Sequence, residues 1–89
     1  MERYMQADIA EEIATFIQEE SLNKDSANSI DLDENLFTSG ILDSMGAMRL
    51  VSHLQLKYEY KIPPPDLIPE NFKTIHILSR YLAKQLEQR

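Results

Sequence analysis

The 89-residue chain contains no cysteine and no tryptophan, and only two glycines. Without cysteine there is no disulfide framework and no thiolate metal site, so any thiol chemistry has to come from a cofactor. Long apolar runs are also missing. None approaches the ~20 residues of a membrane-spanning helix, and no charged-then-apolar leader opens the chain, so a cytoplasmic protein without a membrane span is expected. Basic residues are scarce: nine Lys and Arg against fifteen Asp and Glu give a net charge of −6. That balance excludes the basic footprint that nucleic-acid phosphates require. Histidine occurs only as His53 and His76, too few for a His-rich metal site. What remains, 43% hydrophobic and 27% charged, is the composition of an ordinary soluble globular protein. At this length one domain, residues 1–89, is expected, with a thin core and no cleft between lobes.

The charge is unevenly spread. Residues 1–34 hold ten acids and two bases, whereas residues 35–89 hold five acids and seven bases. Within the acidic part, Met5, Ile9, Ile13, Phe16 and Ile17 fall at helical spacing, which predicts an amphipathic first helix with one buried stripe. Turn-forming residues from Ser21 to Ser29 end it near Glu19–Ser21. A connection over residues 22–43 follows, long enough to need anchors, and Ile30, Leu32, Leu36, Phe37 and Leu42 are the candidates. Asp31, Asp33 and Asn35 have the opening spacing of a calcium loop. Leu36 and Leu42 then stand where that loop requires its glycine and its bidentate glutamate, which removes the calcium reading.

Asp43 and Ser44 are both good N-caps for a second helix. On it Ala47, Leu50, Val51, Leu54 and Tyr58 share one arc, the core face, while Met45, Met48, Ser52 and Leu56 lie on roughly the opposite side. Ser44 projects near the edge between the two. Flexible methionines on an exposed face suit a surface that docks partners; a covering loop is the alternative. Pro63, Pro64 and Pro65 should stop this helix near Ile62, a plainer reading than a ligand for a proline-binding groove. Asp66-Leu67-Ile68 has room for one short helical turn before Pro69. Thr74 then caps a last helix with Ile75, Leu78, Leu82 and Leu86 on one face, and Lys84 and Arg89 near the negative end of its dipole. The expected fold class is all-α: a small four-helix bundle, three helices long and one short.

Ser44, His53 and Asp43 name a hydrolase triad but cannot build one. Nine residues along a helix separate serine from histidine by about 13.5 Å, far beyond the reach of a general base. Leu42 also occupies the first glycine of a G-x-S-x-G elbow. A phosphate ester on Ser44 is a better fit, because a helix N-terminus offers unpaired N–H groups and a positive dipole end. From the residues alone, however, Asp43-Ser44 reads first as a helix cap, and no residue names a modifying group.

Leu36-Phe37, Gly40, Leu42-Asp43-Ser44-Met45, Leu50-Val51, Leu54, Tyr58 and Ile62-Pro63 together resemble the acyl and peptidyl carrier protein family. The likeness runs from the first helix to Thr74-Ile75. It implies the four-helix acyl-carrier fold and a covalent 4'-phosphopantetheine, moved from coenzyme A to Ser44 by a phosphopantetheinyl transferase, with Asp43 assisting transferase recognition. Acyl or aminoacyl groups would ride on that arm as thioesters. The cofactor would supply the thiol and the protein its position, with no catalytic residue and no metal of its own. Implied partners are the transferase, an acyl- or aminoacyl-loading ligase and downstream acyl-processing enzymes, meeting a monomer at Met45, Met48, Arg49, Ser52 and Leu56.

Fatty-acid synthase carriers typically have an acidic second helix. This one carries Arg49, His53, Gln55 and Lys57 and has no acid between Ser44 and Tyr58, which argues against general fatty-acid synthesis and weakens electrostatic steering. A stand-alone carrier for a dedicated pathway (polyketide, nonribosomal peptide or specialised lipid) is the first expectation. Leu42-Asp43-Ser44-Met45-Gly46 is also similar to D-alanyl carrier proteins of teichoic acid modification, the second, and a general fatty-acid synthesis carrier is the third. An unmodified helical interaction module is the alternative from a different class. The identity of the cargo is not encoded in any motif.

Overall fold

The computed structural model describes residues 5–20 and 31–88. Four α-helices follow in order: α1 (Gln6–Glu20), α2 (Ser44–Tyr58), the short α3 (Pro69–Phe72) and α4 (Ile75–Gln88), with a 3₁₀ turn at Pro64–Asp66 ahead of α3. Among the described residues there is no strand, and no helix is long and apolar enough to cross a membrane. The all-α expectation, three long helices and one short, is met.

The apolar stripes make the core. Ile9, Ile13 and Ile17 of α1, Leu50, Val51, Leu54 and Tyr58 of α2, and Ile75, Leu78, Leu82 and Leu86 of α4 are buried. α4 is the hub: α1 lies along it and α3 abuts it, while α1 also touches α2. Thr74 caps α4 as expected, its Oγ1 accepting the Ile77 N–H at 3.0 Å. Met5 departs from the predicted stripe. It precedes the helix and is exposed, and its carbonyl accepts the N–H groups of Asp8 and Ile9, so it starts the helix instead of filling the core.

In the described part of the connection, residues 31–43, some anchors hold by side chains and one by its backbone. Leu36 and Leu42 are buried and Phe37 packs at the core's edge, whereas Leu32 is exposed and holds by its backbone, its carbonyl accepting the His76 N–H at 2.9 Å. Leu36 is stitched from both sides: its N–H donates to the Lys73 carbonyl and its carbonyl accepts the Leu42 N–H, both at 2.8 Å. The oxygens that suggested calcium cap turns. Asp31 Oδ1 accepts the Asp33 N–H, and Asn35 Oδ1 accepts those of Phe37 and Thr38. Ile30, Arg89 and the turn residues at 21–29 lie outside the described residues.

The segment after α2 differs from expectation at both ends. The helix stops at Tyr58, four residues short of Ile62, because Glu59 turns left-handed (φ 49°, ψ 45°). There the Tyr60 N–H reaches back to the Gln55 carbonyl at 3.2 Å, the closing bond of a Schellman cap, and Gln55 Oε1 takes the Ile62 N–H at 2.8 Å. The extended residues that follow bury Ile62. The predicted turn over 66–68 is displaced too. Proline lacks only a donor that the first helical turn does not use, so Pro64 opens the 3₁₀ turn and Pro69 opens α3. Asp66 fastens this turn, accepting the Tyr81 hydroxyl at 2.5 Å, while its carbonyl accepts the Asn71 amide at 2.7 Å. Burial, then the Asp66 carboxylate, push the Tyr81 hydroxyl's pKa up.

Candidate functional site

The mouth of α2 is assembled from the connection before it. Gly40 sits at φ +81°, in the left-handed region that glycine enters without steric cost, and reverses the chain so that Leu42 is buried. Asp43 follows in extended conformation as the N-cap, and its Oδ1 accepts the Gly46 N–H at 2.6 Å. Gly46 allows this close approach: a Cβ there would stand 3.1 Å from that same oxygen and 3.2 Å from Leu42 Cδ1.

Sequence offered Asp43 or Ser44 as the cap, and the structure takes Asp43. Ser44 becomes the first residue of α2, exposed to solvent, and its hydroxyl has no hydrogen-bond partner among the described residues. An uncommitted alcohol therefore stands at a helix N-terminus, where backbone N–H groups and the dipole favour an anionic substituent. A phosphodiester there would displace no hydrogen bond among the described residues.

Two recesses border Ser44, with Ser44 and Met48 forming the ridge between them. One, of about 500 Å³, is lined by Phe16, Ser44, Met45, Met48, Arg49 and Ser52. The other, of about 240 Å³, lies between α2 and the segment around α3, with Phe37, Val51, Ile68 and Phe72 in its walls. Of the five residues expected on a docking face, Met45, Met48, Arg49 and Ser52 are gathered here. Leu56 is on the same helix but outside both recesses, 82% exposed, against 66% for Met45 and 64% for Met48. Exposed Leu67 and Ile68 extend the apolar surface beyond Met48. Nothing in the local spacing pointed to these two, because they reach α2 only through the turn that Asp66 fastens.

Phe16 and His53 also take roles that spacing did not suggest. Phe16 is half-buried at the recess, its ring stacked on His53 with centroids 4.6 Å apart. His53 Nε2–H donates to Glu12 Oε2 at 2.6 Å, and Lys57 Nζ lies 3.4 Å from Glu12 Oε1. The hydrogen bond from His53 holds the Glu12 carboxyl below its usual range; burial opposes this and Lys57 assists it. The histidine thus clamps α1 to α2.

Comparison with known proteins identifies the family of the chain. Residues 8–82 match the family described as the phosphopantetheine attachment site. The D-alanyl carrier protein of Lactococcus lactis subsp. cremoris (strain MG1363) is 31% identical over 58 residues, covering 65% of this chain and 73% of that protein. The same figures hold for the D-alanyl carrier protein of L. lactis subsp. lactis (strain IL1403). That of Streptococcus uberis is 36% identical over 44 residues, 49% of this chain and 56% of its own length. With its helical fold and a family match that spans most of its length, the chain belongs to the phosphopantetheine-attachment family of acyl and peptidyl carrier proteins, and its cofactor is 4'-phosphopantetheine.

Proposed function

We propose that residues 1–89 act as one carrier domain, holding acyl or aminoacyl groups on a phosphopantetheine arm attached to Ser44, in a dedicated biosynthetic pathway. The observation that carries this reading is the exposed Ser44 hydroxyl, which has no partner among the described residues, the capping being done by Asp43. In the attachment step Ser44 Oγ bonds to the phosphorus that bears the pantetheine. The phosphoanhydride of coenzyme A breaks there, an adenosine bisphosphate leaves, and the hydroxyl proton passes to the transferase. The bound arm supplies a thiol, on which cargo is carried as a thioester.

The protein's own residues hold and present. Asp43 keeps the helix mouth in shape and is read by the transferase. Met45, Met48, Arg49, Ser52 and Leu56 form the face that meets the transferase, the loading ligase and later acyl-processing enzymes. No side chain acts as a catalyst: His53, the one histidine on α2, is engaged by Glu12. As a coenzyme A-dependent carrier the protein would work as a monomer in the cytoplasm.

Intact mass tests this directly. Incubating the apo protein with coenzyme A and a broad-specificity transferase should add one phosphopantetheine, and Ser44→Ala should add none. A folded wild-type protein that gains nothing would be an unmodified interaction module instead. A second reading, D-alanine as the cargo, is favoured by the D-alanyl carrier proteins among the relatives. Incubating the holo protein with D-alanine, ATP and a D-alanine-activating ligase, beside ligases for other amino and carboxylic acids, separates the two by the loaded mass. The absence of any acid on α2 speaks against a general fatty-acid carrier.

A further inference from the structure

We infer that the recess on the α1 flank of α2 is a resting groove for the pantetheine arm itself, an inference that rests on attachment at Ser44. The groove starts at Ser44 and continues to Ser52, eight residues on and about 12 Å along the helix axis. It therefore runs in the direction an arm leaving Ser44 would take if it folded back along α2.

Its chemistry matches the arm piece by piece. Pantetheine has a gem-dimethyl group and a hydroxyl near the phosphate, followed by two amides. Met45 and Met48 offer apolar contact near Ser44, and Phe16, Arg49 and Ser52 line the groove farther along, Phe16 with a ring face beside His53 and Ser52 with an O–H donor. The recess on the other flank is smaller and, Ser44 apart, no polar side chain lines it. Amides laid there would give up water without a partner, which is costly.

The floor is also set before any arm arrives. Phe16 is stacked on His53, His53 is held by Glu12, and Glu12 is held in turn by Lys57. Its ring is thus kept from turning into the groove, and Met45 and Met48 border it as exposed, adaptable side chains. A tethered ligand needs only weak affinity to occupy such a site, since the tether supplies a high effective concentration. An open groove also lets the arm leave when a partner docks.

The test is nuclear Overhauser spectroscopy on the full-length protein carrying isotope-labelled pantetheine, attached from labelled coenzyme A. Cross-peaks are expected from the gem-dimethyl group to the Met45 methyl and from the amide-bearing part of the arm to the Phe16 ring, with shifted arm amides. In Phe16→Ala, with its fold verified by circular dichroism, those cross-peaks are lost and the arm amides return to their free positions, while the mass gain stays. Cross-peaks to Val51 and Phe72 instead, or none to the protein at all, would overturn the groove while leaving Ser44 as the attachment point. A protein that takes up no arm would overturn the attachment reading, and the groove with it. If Phe16→Ala does not fold, the wild-type cross-peaks decide alone.

Discussion

Asp43 and Ser44 are neighbours with separate duties, and stability should tell them apart. Asp43 satisfies an orphan N–H of α2 through the 2.6 Å bond to Gly46, so Asp43→Ala should cost about 1 kcal/mol, the usual loss of a cap. Ser44 makes no such bond, and Ser44→Ala should stay within about 0.5 kcal/mol of wild type. Urea unfolding followed by circular dichroism measures both. A larger loss in Ser44→Ala than in Asp43→Ala would mean that the serine, not the aspartate, holds the helix mouth. The sequence made either residue eligible because both are good caps. What separates them is the extended backbone at Asp43, and that conformation depends on the Gly40 reversal and on Leu42 being buried one residue earlier.

Among the elements, the pairing of α1 with α2 depends on ionisable groups. Glu12 has a folded pKa below its unfolded value of 4.5. A group depressed in this way stabilises the fold above its unfolded pKa and loses that contribution as pH falls through the folded value. Glu12→Gln should therefore be less stable than wild type at neutral pH by roughly 0.5–1 kcal/mol, the scale of partly exposed ion pairs. The difference should shrink as pH drops below about 4.5. Urea midpoints of both proteins from about pH 7 down to about pH 3.5 follow this, and a gap that stays constant or widens in acid would disprove the clamp. Helix content was legible because burial repeats along each element: Ile9, Ile13 and Ile17 in α1, and Ile75, Leu78, Leu82 and Leu86 in α4. The ends were less so. Prolines that looked like stops begin the 3₁₀ turn and α3, and α2 ends on a left-handed glutamate, a conformation not favoured by its residue type.

For the whole molecule, the exposed apolar surface is continuous from Met45 through Met48 to Leu67 and Ile68, and Met48 borders both recesses beside Ser44. A charge placed there should hinder docking without touching the hydroxyl. Met48→Glu is expected to accept the arm to the same final yield, yet to slow cargo loading or transfer by about tenfold, the ~1.4 kcal/mol of a modest interface hot spot. Unchanged kcat/KM with the loading ligase would remove the docking face from the proposal. By itself the sequence determined the helices, the alcohol at a helix mouth and the need for an external thiol, since caps, apolar periodicity and the lack of cysteine are properties of neighbouring residues or of composition. Tertiary structure decided what surrounds that alcohol. Glu12 meets His53 across 41 residues, and Leu67 and Ile68 come beside Met48 because Asp66 ties their turn to Tyr81. Such meetings depend on how the helices pack and where the loops between them run, and helical spacing along a single element carries no information about either.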